Sequence, residues 1–124
     1  MSAAKEVRKK AHAPYSKFKV GAAVMDEKGR IHIGCNVENA SYGLTVCAER
    51  NAVASAVAAG AKSLRAVAVV TSTYPPSSLC GACRQVLAEF GSADMSVTLA
   101  CATKAKRAQV ETTLGALLPR AFSL

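Results

Sequence analysis

The chain has 124 residues, of which 51% are hydrophobic and 5% aromatic, and its 16 Lys and Arg against 8 Asp and Glu give a formal net charge of +8. This length predicts one domain over residues 1–124, large enough to bury a core without disulfides. No apolar run approaches the length of a membrane span and no secretory leader is recognisable, so we expect a soluble cytoplasmic protein with no membrane partner.

The N-terminal segment is basic, because half of the Lys and Arg lie within the first thirty residues. Such a surface could attract nucleic acid, but acidic residues interrupt it and aromatic residues are few, which favours a solvated basic face and no nucleic-acid partner. In the same segment, apolar residues on one stripe of 3–12 predict a short amphipathic helix that ends at Pro14.

A β-hairpin is predicted next, with strands over residues 18–25 and 30–37 joined by the turn residues 26–29. Alternation along the second strand places Asn36 and Glu38 on one face at its end. They form either a two-pronged hydrogen-bonding clamp or a solvated strand end. The spacing by itself favours the solvated end.

The rest of the chain alternates helices and strands. Residues 47–59 predict a helix ended by Gly60, residues 66–70 a buried strand, and a second helix, with Ser77 and Ser78 as candidate caps, ends at Gly91. The apolar stripes of these helices are Ala48, Ala52, Val53, Ala56 and Val57 in the first and Ala82, Val86, Leu87 and Phe90 in the second.

The C-terminal third adds a strand over 95–101, another near 108–112, and a short helical turn at 114–118 before Pro119. Only about six residues separate the two strands, and a parallel return needs about a dozen or more, so the last strand should be antiparallel. The prediction is an α/β fold in three layers, α/β/α, around a mixed five-stranded sheet.

The spacing of the cysteines indicates a metal site. Five cysteines is an odd number, and the spacing Cys47, then Cys80 and Cys83, is typical of metal ligation in a reducing compartment, whereas Cys35 and Cys101 fit small buried residues. Each group opens a predicted helix, where free amides and the helix dipole favour thiolate. Three thiolates predict a Zn²⁺ site with a fourth position open to water.

Glu49 and Arg50 follow Cys47 directly. Glu49 is placed to exchange protons with a water at the metal, which makes it the candidate catalytic residue. Three thiolates leave the site negative, and Arg50 either withdraws charge from the sulfurs or is an ordinary surface arginine. The alternative to this open site is a closed structural one, with His12 or His32 as fourth ligand.

The segments around these residues resemble the cytidine deaminase family, the branch that acts on free nucleosides. The motifs are a Cys-x-Glu segment followed by Cys-x-x-Cys. The likeness covers nearly the whole chain, in Pro14-Tyr15-Ser16-Lys17-Phe18, Val20-Gly21-Ala22-Ala23, residues 34–50 ending in Cys47-Ala48-Glu49-Arg50, Cys80-Gly81-Ala82-Cys83-Arg84-Gln85-Val86-Leu87, and Leu117-Leu118-Pro119.

The resemblance implies zinc-dependent hydrolysis of cytidine and 2′-deoxycytidine to the uridines and ammonia, in pyrimidine salvage. It implies that Asn36 and Glu38 bind the ribose hydroxyls, which reverses the preference for a solvated strand end, and that Phe18 packs against the nucleoside. It further implies that the Ala48 backbone and Glu49 read the base, that Arg50 tempers the thiolates, that Tyr42 lies in the substrate loop, and that the protein is a homotetramer in which Phe122 reaches a neighbour's site.

Two positions depart from the family pattern, because Leu79 and Lys19 stand where proline is usual. Leu79 removes a rigid entry to the second helix while leaving the ligands intact. Three rival functions remain: a polynucleotide-editing deaminase, which the basic N-terminus alone supports and the short antiparallel return opposes, a structural zinc module, and a deaminase of a nucleoside antibiotic.

Overall fold

The computed structural model describes residues 1–103 and 108–124, and its elements alternate as the sequence predicts. In chain order they are α1 (Ser2–Arg8), β1 (Gly21–Asp26), β2 (Ile31–Cys35), a 3₁₀ turn (Tyr42–Leu44), α2 (Ala48–Ala58), β3 (Leu64–Thr71), α3 (Gly81–Phe90), β4 (Ser96–Cys101), β5 (Gln109–Thr113) and α4 (Leu114–Leu117). No helix among the described residues is long and apolar enough to span a membrane.

The five strands form one mixed sheet in the order β2-β1-β3-β4-β5. β1 is antiparallel to both β2 and β3, β3 is parallel to β4, and β4 is antiparallel to β5. The predicted hairpin and the predicted antiparallel last strand are both confirmed. The sheet edges are therefore β2, which leads to Asn36 and Glu38, and β5.

Two apolar clusters show the three layers. On one face, α2 and α3 cover the sheet, with Leu87 and Val24 among the fully buried side chains. On the other face, Ala4 of α1 packs with Ala23, Val70 and Ala100 of three strands. Strand alternation sends neighbouring residues to opposite faces, which is why Ala23 and Val24 belong to different clusters. The predicted α/β/α arrangement is confirmed.

Close approach of α2 to the edge strand depends on Gly34. A Cβ at this position would lie 2.3 Å from Ala52 N and 2.6 Å from Ala48 O, both backbone atoms of α2. A glycine is therefore required for α2 to lie directly on β2. This contact sets the position of the first turn of α2, which carries the candidate catalytic residue.

Several predicted boundaries were wrong. α1 ends at Arg8, because the chain turns there and His12 pairs with the strand end: His12 N donates to Asn36 O at 3.0 Å and Glu38 N donates to His12 O at 2.8 Å. The first hairpin strand begins at Gly21 and the second ends at Cys35, so neither reaches as far as predicted at these ends. Beyond them, the side chain of Asn36 bonds to the backbone of Phe18 and Val20 in place of strand pairing.

The second long helix also begins differently. Its N-cap is Cys80, not Ser77 or Ser78, since the hydroxyl of Ser78 accepts from Arg84 and that of Ser77 bonds to Thr73. The predicted apolar stripes each contain one exposed residue, Val57 in α2 and Ala82 in α3. In α3 the buried first-turn residue is instead Cys83.

Candidate metal centre and adjoining cavity

Two helix N-termini bring three cysteine sulfurs together. Cys47 is the N-cap of α2, Cys80 is the N-cap of α3, and Cys83 lies one turn into α3. The three Sγ atoms all lie within 4.8 Å of one another, with 3.8 Å from Cys47 to Cys80 and 3.2 Å from Cys80 to Cys83. All three cysteines are free thiols. The cluster could hold one metal ion.

The spacing suits zinc. At a Zn–S bond of about 2.3 Å, tetrahedral geometry separates two sulfurs by about 3.8 Å. The Cys47–Cys80 separation already has this value, and the shorter Cys80–Cys83 pair needs a small outward movement. Thiolate is the donor type that a zinc site uses.

Hydrogen bonding within the cluster makes the sulfurs unequal. The hydrogen bond from Cys83 is the main cause that lowers the pKa of Cys47 to about 5, and the bond from Arg50 adds to it. Burial of Cys47 acts in the opposite direction but is outweighed. The same bond to Cys47, together with burial, raises the pKa of Cys83. One thiolate is therefore preformed at the N-terminus of α2, where the helix dipole also favours negative charge.

Arg50 contacts the cluster directly. Its Nη2 donates to Cys47 Sγ at 3.4 Å, and this bond raises the pKa of the guanidinium. The alternative of an ordinary surface arginine is therefore wrong. Hydrogen bonds from neighbouring side chains tune the charge that a metal ligand carries. Arg50 is placed to withdraw charge from Cys47.

Glu49 is almost completely buried, with 6% of its surface exposed, in the first turn of α2. Burial, followed by the negative charge of Cys47, raises the pKa of its carboxyl group. A carboxyl group with a raised pKa can both hold and release a proton near neutral pH. Its side chain also bonds to Cys83, so the carboxyl group lies beside the sulfurs.

A cavity of about 260 Å³ adjoins the cysteines. Its walls include five residues that the sequence associated with substrate or catalysis: Phe18, Asn36, Glu38, Ala48 and Glu49. Cys47 and Cys80 also line it, whereas Cys83 is buried behind them. The tertiary structure thus gathers the predicted residues from one loop, the end of one strand and two helix starts around a single space.

Asn36 and Glu38 bind the loop that precedes β1. Asn36 Oδ1 accepts from Val20 N at 2.8 Å, and its Nδ2 donates to Phe18 O at 2.7 Å. Glu38 Oε1 accepts from the backbone N of Tyr15 and Ser16 at 3.0 and 3.1 Å. Asn36 is buried, so the prediction from spacing alone, a solvated strand end, was wrong.

Two predicted substrate residues lie outside this cavity. Tyr42 is 76% exposed and lines a neighbouring cavity of about 380 Å³ that shares Glu38 and Thr45 with the first. Phe122 is 71% exposed on the C-terminal tail, where its carbonyl accepts from Gln85. Within one copy of the chain, the described structure does not bring Phe122 to the cysteines.

The departures at Leu79 and Lys19 have identifiable neighbours. Leu79 is buried in the core, and its carbonyl accepts from Arg84 Nε at 2.9 Å. The same guanidinium binds Ser78 Oγ at 3.1 Å and Leu117 O at 2.6 Å. The carbonyl of Lys19 accepts from Arg8 Nε at 2.9 Å. Arg84 therefore holds the segment that enters α3, where the usual proline would restrict it.

The closed structural site is not formed. Within residues 1–103 and 108–124, the metal-binding cluster contains the three cysteines and no histidine. His32 Nε2 lies 2.9 Å from Asp26 Oδ2, at the hairpin turn, and the backbone of His12 pairs with the end of β2. In the described residues both histidines therefore make contacts away from the cysteine cluster.

The sequence did not single out several residues that line the cavity. Thr71 ends β3 and is buried, and its hydroxyl bonds to Thr73, which in turn bonds to Ser77. Ligands in α/β sheets bind beyond the carboxyl ends of strands, and that rule could have found Thr71. The remaining wall residues are Val20, Thr45, Val69, Ser77 and Ser78.

The chain is similar to proteins of one family throughout. Residues 1–101 match the family model for the cytidine and deoxycytidylate deaminase zinc-binding region. A cytidine deaminase from Sporosarcina psychrophila is 52% identical over 96% of this chain and 85% of its own length. The structure of a cytidine deaminase from Burkholderia pseudomallei superposes with a TM-score of 0.90 at 50% identity, covering 98% and 94% of the two chains. That of a Mycobacterium tuberculosis cytidine deaminase gives 0.84 at 40% identity, covering 99% and 94%.

Proposed function

Because the chain belongs to the cytidine and deoxycytidylate deaminase family of zinc hydrolases, we propose that it hydrolyses cytidine and 2′-deoxycytidine to uridine and 2′-deoxyuridine with release of ammonia. The observation that carries the proposal is the cavity, whose walls combine Glu49, Cys47 and Cys80 with Asn36, Glu38 and Phe18. A free nucleoside is a substrate class that such a space suits, because apolar walls with the ring of Phe18 can hold a base and the few polar side chains can orient it.

Cys47, Cys80 and Cys83 would hold Zn²⁺, and the match of donor type and sulfur spacing supports this assignment. Bound zinc would supply a strong nucleophile near neutral pH, because it lowers the pKa of a coordinated water molecule. Arg50 would offset part of the negative charge of the three thiolates, as its bond to Cys47 indicates.

Glu49 would carry the protons. Its carboxylate would take one proton from the attacking water and deliver it to ring N3 as the water oxygen bonds to C4. It would then take the remaining proton of the new C4 hydroxyl and pass it to the amino group, so that the C4–N bond breaks, ammonia leaves and C4 becomes a carbonyl. Water and cytidine thus yield uridine and ammonia. Burial of Glu49 supports the assignment, because burial raises the pKa of its carboxyl group and so favours proton uptake.

The ribose would be held by Asn36 and Glu38, and Phe18 would pack against the nucleoside. The backbone of Ala48, which lies beside Glu49 in the cavity wall, would bind the base edge. Tyr42, exposed in the adjoining cavity, would lie in the loop on the substrate side. The assignments of Phe18, Asn36, Glu38 and Ala48 are supported by their positions in the cavity wall.

The larger-scale proposals follow from the same premise. Residues 1–124 would act as one domain in a homotetramer, with the exposed Phe122 of one copy near the site of another. The enzyme would work in the cytoplasm, in pyrimidine salvage, without nucleic acid as substrate. The antiparallel β5 supports the nucleoside branch over a polynucleotide editor.

The test is the loss of cytidine absorbance with protein of measured zinc content. Glu49→Gln and Glu49→Ala should lower kcat at least about a thousandfold, the size of a general acid–base contribution, while zinc stays stoichiometric. Glu89→Ala, an exposed glutamate of α3, is the matched control and should keep full activity. Turnover retained without the Glu49 carboxyl group would contradict the mechanism. Salt-dependent RNA binding with no nucleoside turnover would contradict the function.

A further inference from the structure

The hydroxyl of Ser16 joins two residues of the cavity wall. Ser16 Oγ donates to Glu38 Oε2 and accepts from Phe18 N at 3.0 Å. A serine hydroxyl has one donor and two acceptor sites, so both bonds form at once. One atom therefore fixes the backbone of Phe18 relative to the carboxylate of Glu38.

The bonds to Glu38 leave it little freedom. Oε1 accepts from two backbone N–H groups, those of Tyr15 and Ser16, and Oε2 accepts from the Ser16 hydroxyl. A carboxylate has about four acceptor sites, so about one remains, on Oε2. The Ser16 hydroxyl, followed by the backbone bonds, holds the pKa of Glu38 below its usual range, which keeps the group an acceptor.

The loop geometry matches this arrangement. Lys17 has a φ of 63°, a left-handed turn that returns Phe18 N to the Ser16 hydroxyl. Asn36 holds the next part of the loop through Phe18 O at 2.7 Å. Ser16 itself lines the neighbouring cavity and not the one that contains the cysteines. It is therefore positioned to act through Glu38 and not on the reacting atoms.

We propose that Ser16 is a positioning residue, which orients Glu38 so that its remaining acceptor site meets a ribose hydroxyl of the substrate. The inference rests on the proposed function, since it assumes that a nucleoside occupies the cavity. Loss of the Ser16 hydroxyl leaves Glu38 attached to backbone but frees Oε2 to rotate and to be hydrated. The penalty then falls on recognition of the ribose and not on the chemistry at the base.

The experiment compares Ser16→Ala, Ser16→Thr and the control Ser63→Ala in zinc-loaded protein, with cytidine and 2′,3′-dideoxycytidine as substrates. Ser63 is exposed beside Glu27 at the hairpin turn, away from the cavity. Ser16→Ala should lower kcat/KM for cytidine about tenfold, mainly through KM, as expected for one hydrogen bond to a charged group. It should change kcat/KM for the dideoxy analogue much less. Ser16→Thr, which keeps the hydroxyl, should restore the cytidine value.

Calorimetric binding of uridine and 2′,3′-dideoxyuridine gives a readout besides turnover. Wild type should prefer uridine, and Ser16→Ala should lose most of that preference while it still unfolds in one cooperative thermal transition. Equal losses on both ligands, or no loss on either, would overturn the role of Ser16. A wild-type protein that discriminates between the uridines but does not deaminate cytidine would overturn the proposed reaction and leave the Ser16 inference standing.

Discussion

Replacement of Arg50 by Met tests whether this side chain offsets the charge of the thiolates. The Met side chain keeps much of the length and apolar stem of Arg50 but removes the Nη2 donor that lies 3.4 Å from Cys47 Sγ. Two unit charges at this separation attract by about 5 kcal/mol at an effective dielectric constant of about 20. Arg50 is only half-buried, so solvent screening reduces the net value.

A hydrogen bond to a charged group contributes about 1.5–3 kcal/mol, which corresponds to a factor of about 10–150 in an equilibrium constant. Loss of a side chain that bonds to a zinc ligand weakens metal binding by a similar factor, about 10–100. We therefore expect Arg50→Met to raise the Kd for zinc by about 10–100-fold. Arg50→Lys keeps the charge but loses the planar donor group, and its Kd should be intermediate.

The assay is competition for zinc with a chromophoric chelator at fixed pH, accompanied by kcat on fully loaded protein. Arg65→Met is the matched control, because the Arg65 guanidinium binds the carbonyl of Glu27 near the hairpin turn. Its zinc Kd should equal that of wild type. A wild-type Kd for Arg50→Met would refute the reasoning, since the contact with Cys47 would then carry no net energy.

Two further predictions concern the scaffold. Burial disfavours ionisation of Asp26, but hydrogen bonds from His32 and from the Arg30 and Lys28 amides outweigh it and hold its pKa far below the usual range. Ionised Asp26 therefore stabilises the fold above the unfolded pKa of about 4, and this stabilisation is lost as the pH falls below it. The free energy of unfolding in urea should thus depend less on pH, between about 5 and 3, for Asp26→Asn than for wild type or the surface control Asp94→Asn. Parallel pH profiles would contradict this. Gly34→Ala should lower the free energy of unfolding by about 1–3 kcal/mol and weaken zinc binding, because the added Cβ would meet the backbone of α2. The control is Gly43→Ala, whose Cβ would meet open space. Equal unfolding free energies for the two variants would contradict the tight contact.

Local sequence patterns predicted the end of a helix correctly where a single residue, such as a glycine, terminates it. Gly60, with a φ of 94°, lies just past the end of α2 at Ala58, as expected of a glycine stop. The same approach failed for the end of α1. The apolar stripe continues to Ala11, but hydrogen bonds between His12 and the end of β2 override it. Such long-range pairing has no signature within the helix itself.

The site followed a similar division. Residue type and spacing identified Cys47, Cys80, Cys83 and Glu49, because thiolates at helix starts and a nearby carboxyl group have few other uses in combination. The position of Asn36 and Glu38 could not be chosen from alternation alone, since a solvated strand end has the same pattern. Burial and the bonds to residues 15–20 decided it.

The sequence by itself determined the family and the candidate ligand set, because ligand type and local spacing are properties of neighbouring residues. It also determined the order of helices and strands, and a connection too short for a parallel return set the direction of β5. Only the tertiary structure decided which side chains share the cavity, how Arg50 contacts Cys47, and how Ser16 links Phe18 to Glu38. Those contacts depend on the close packing of α2 on Gly34 and on loop hydrogen bonds between segments about twenty residues apart, which are three-dimensional facts that a linear pattern does not encode.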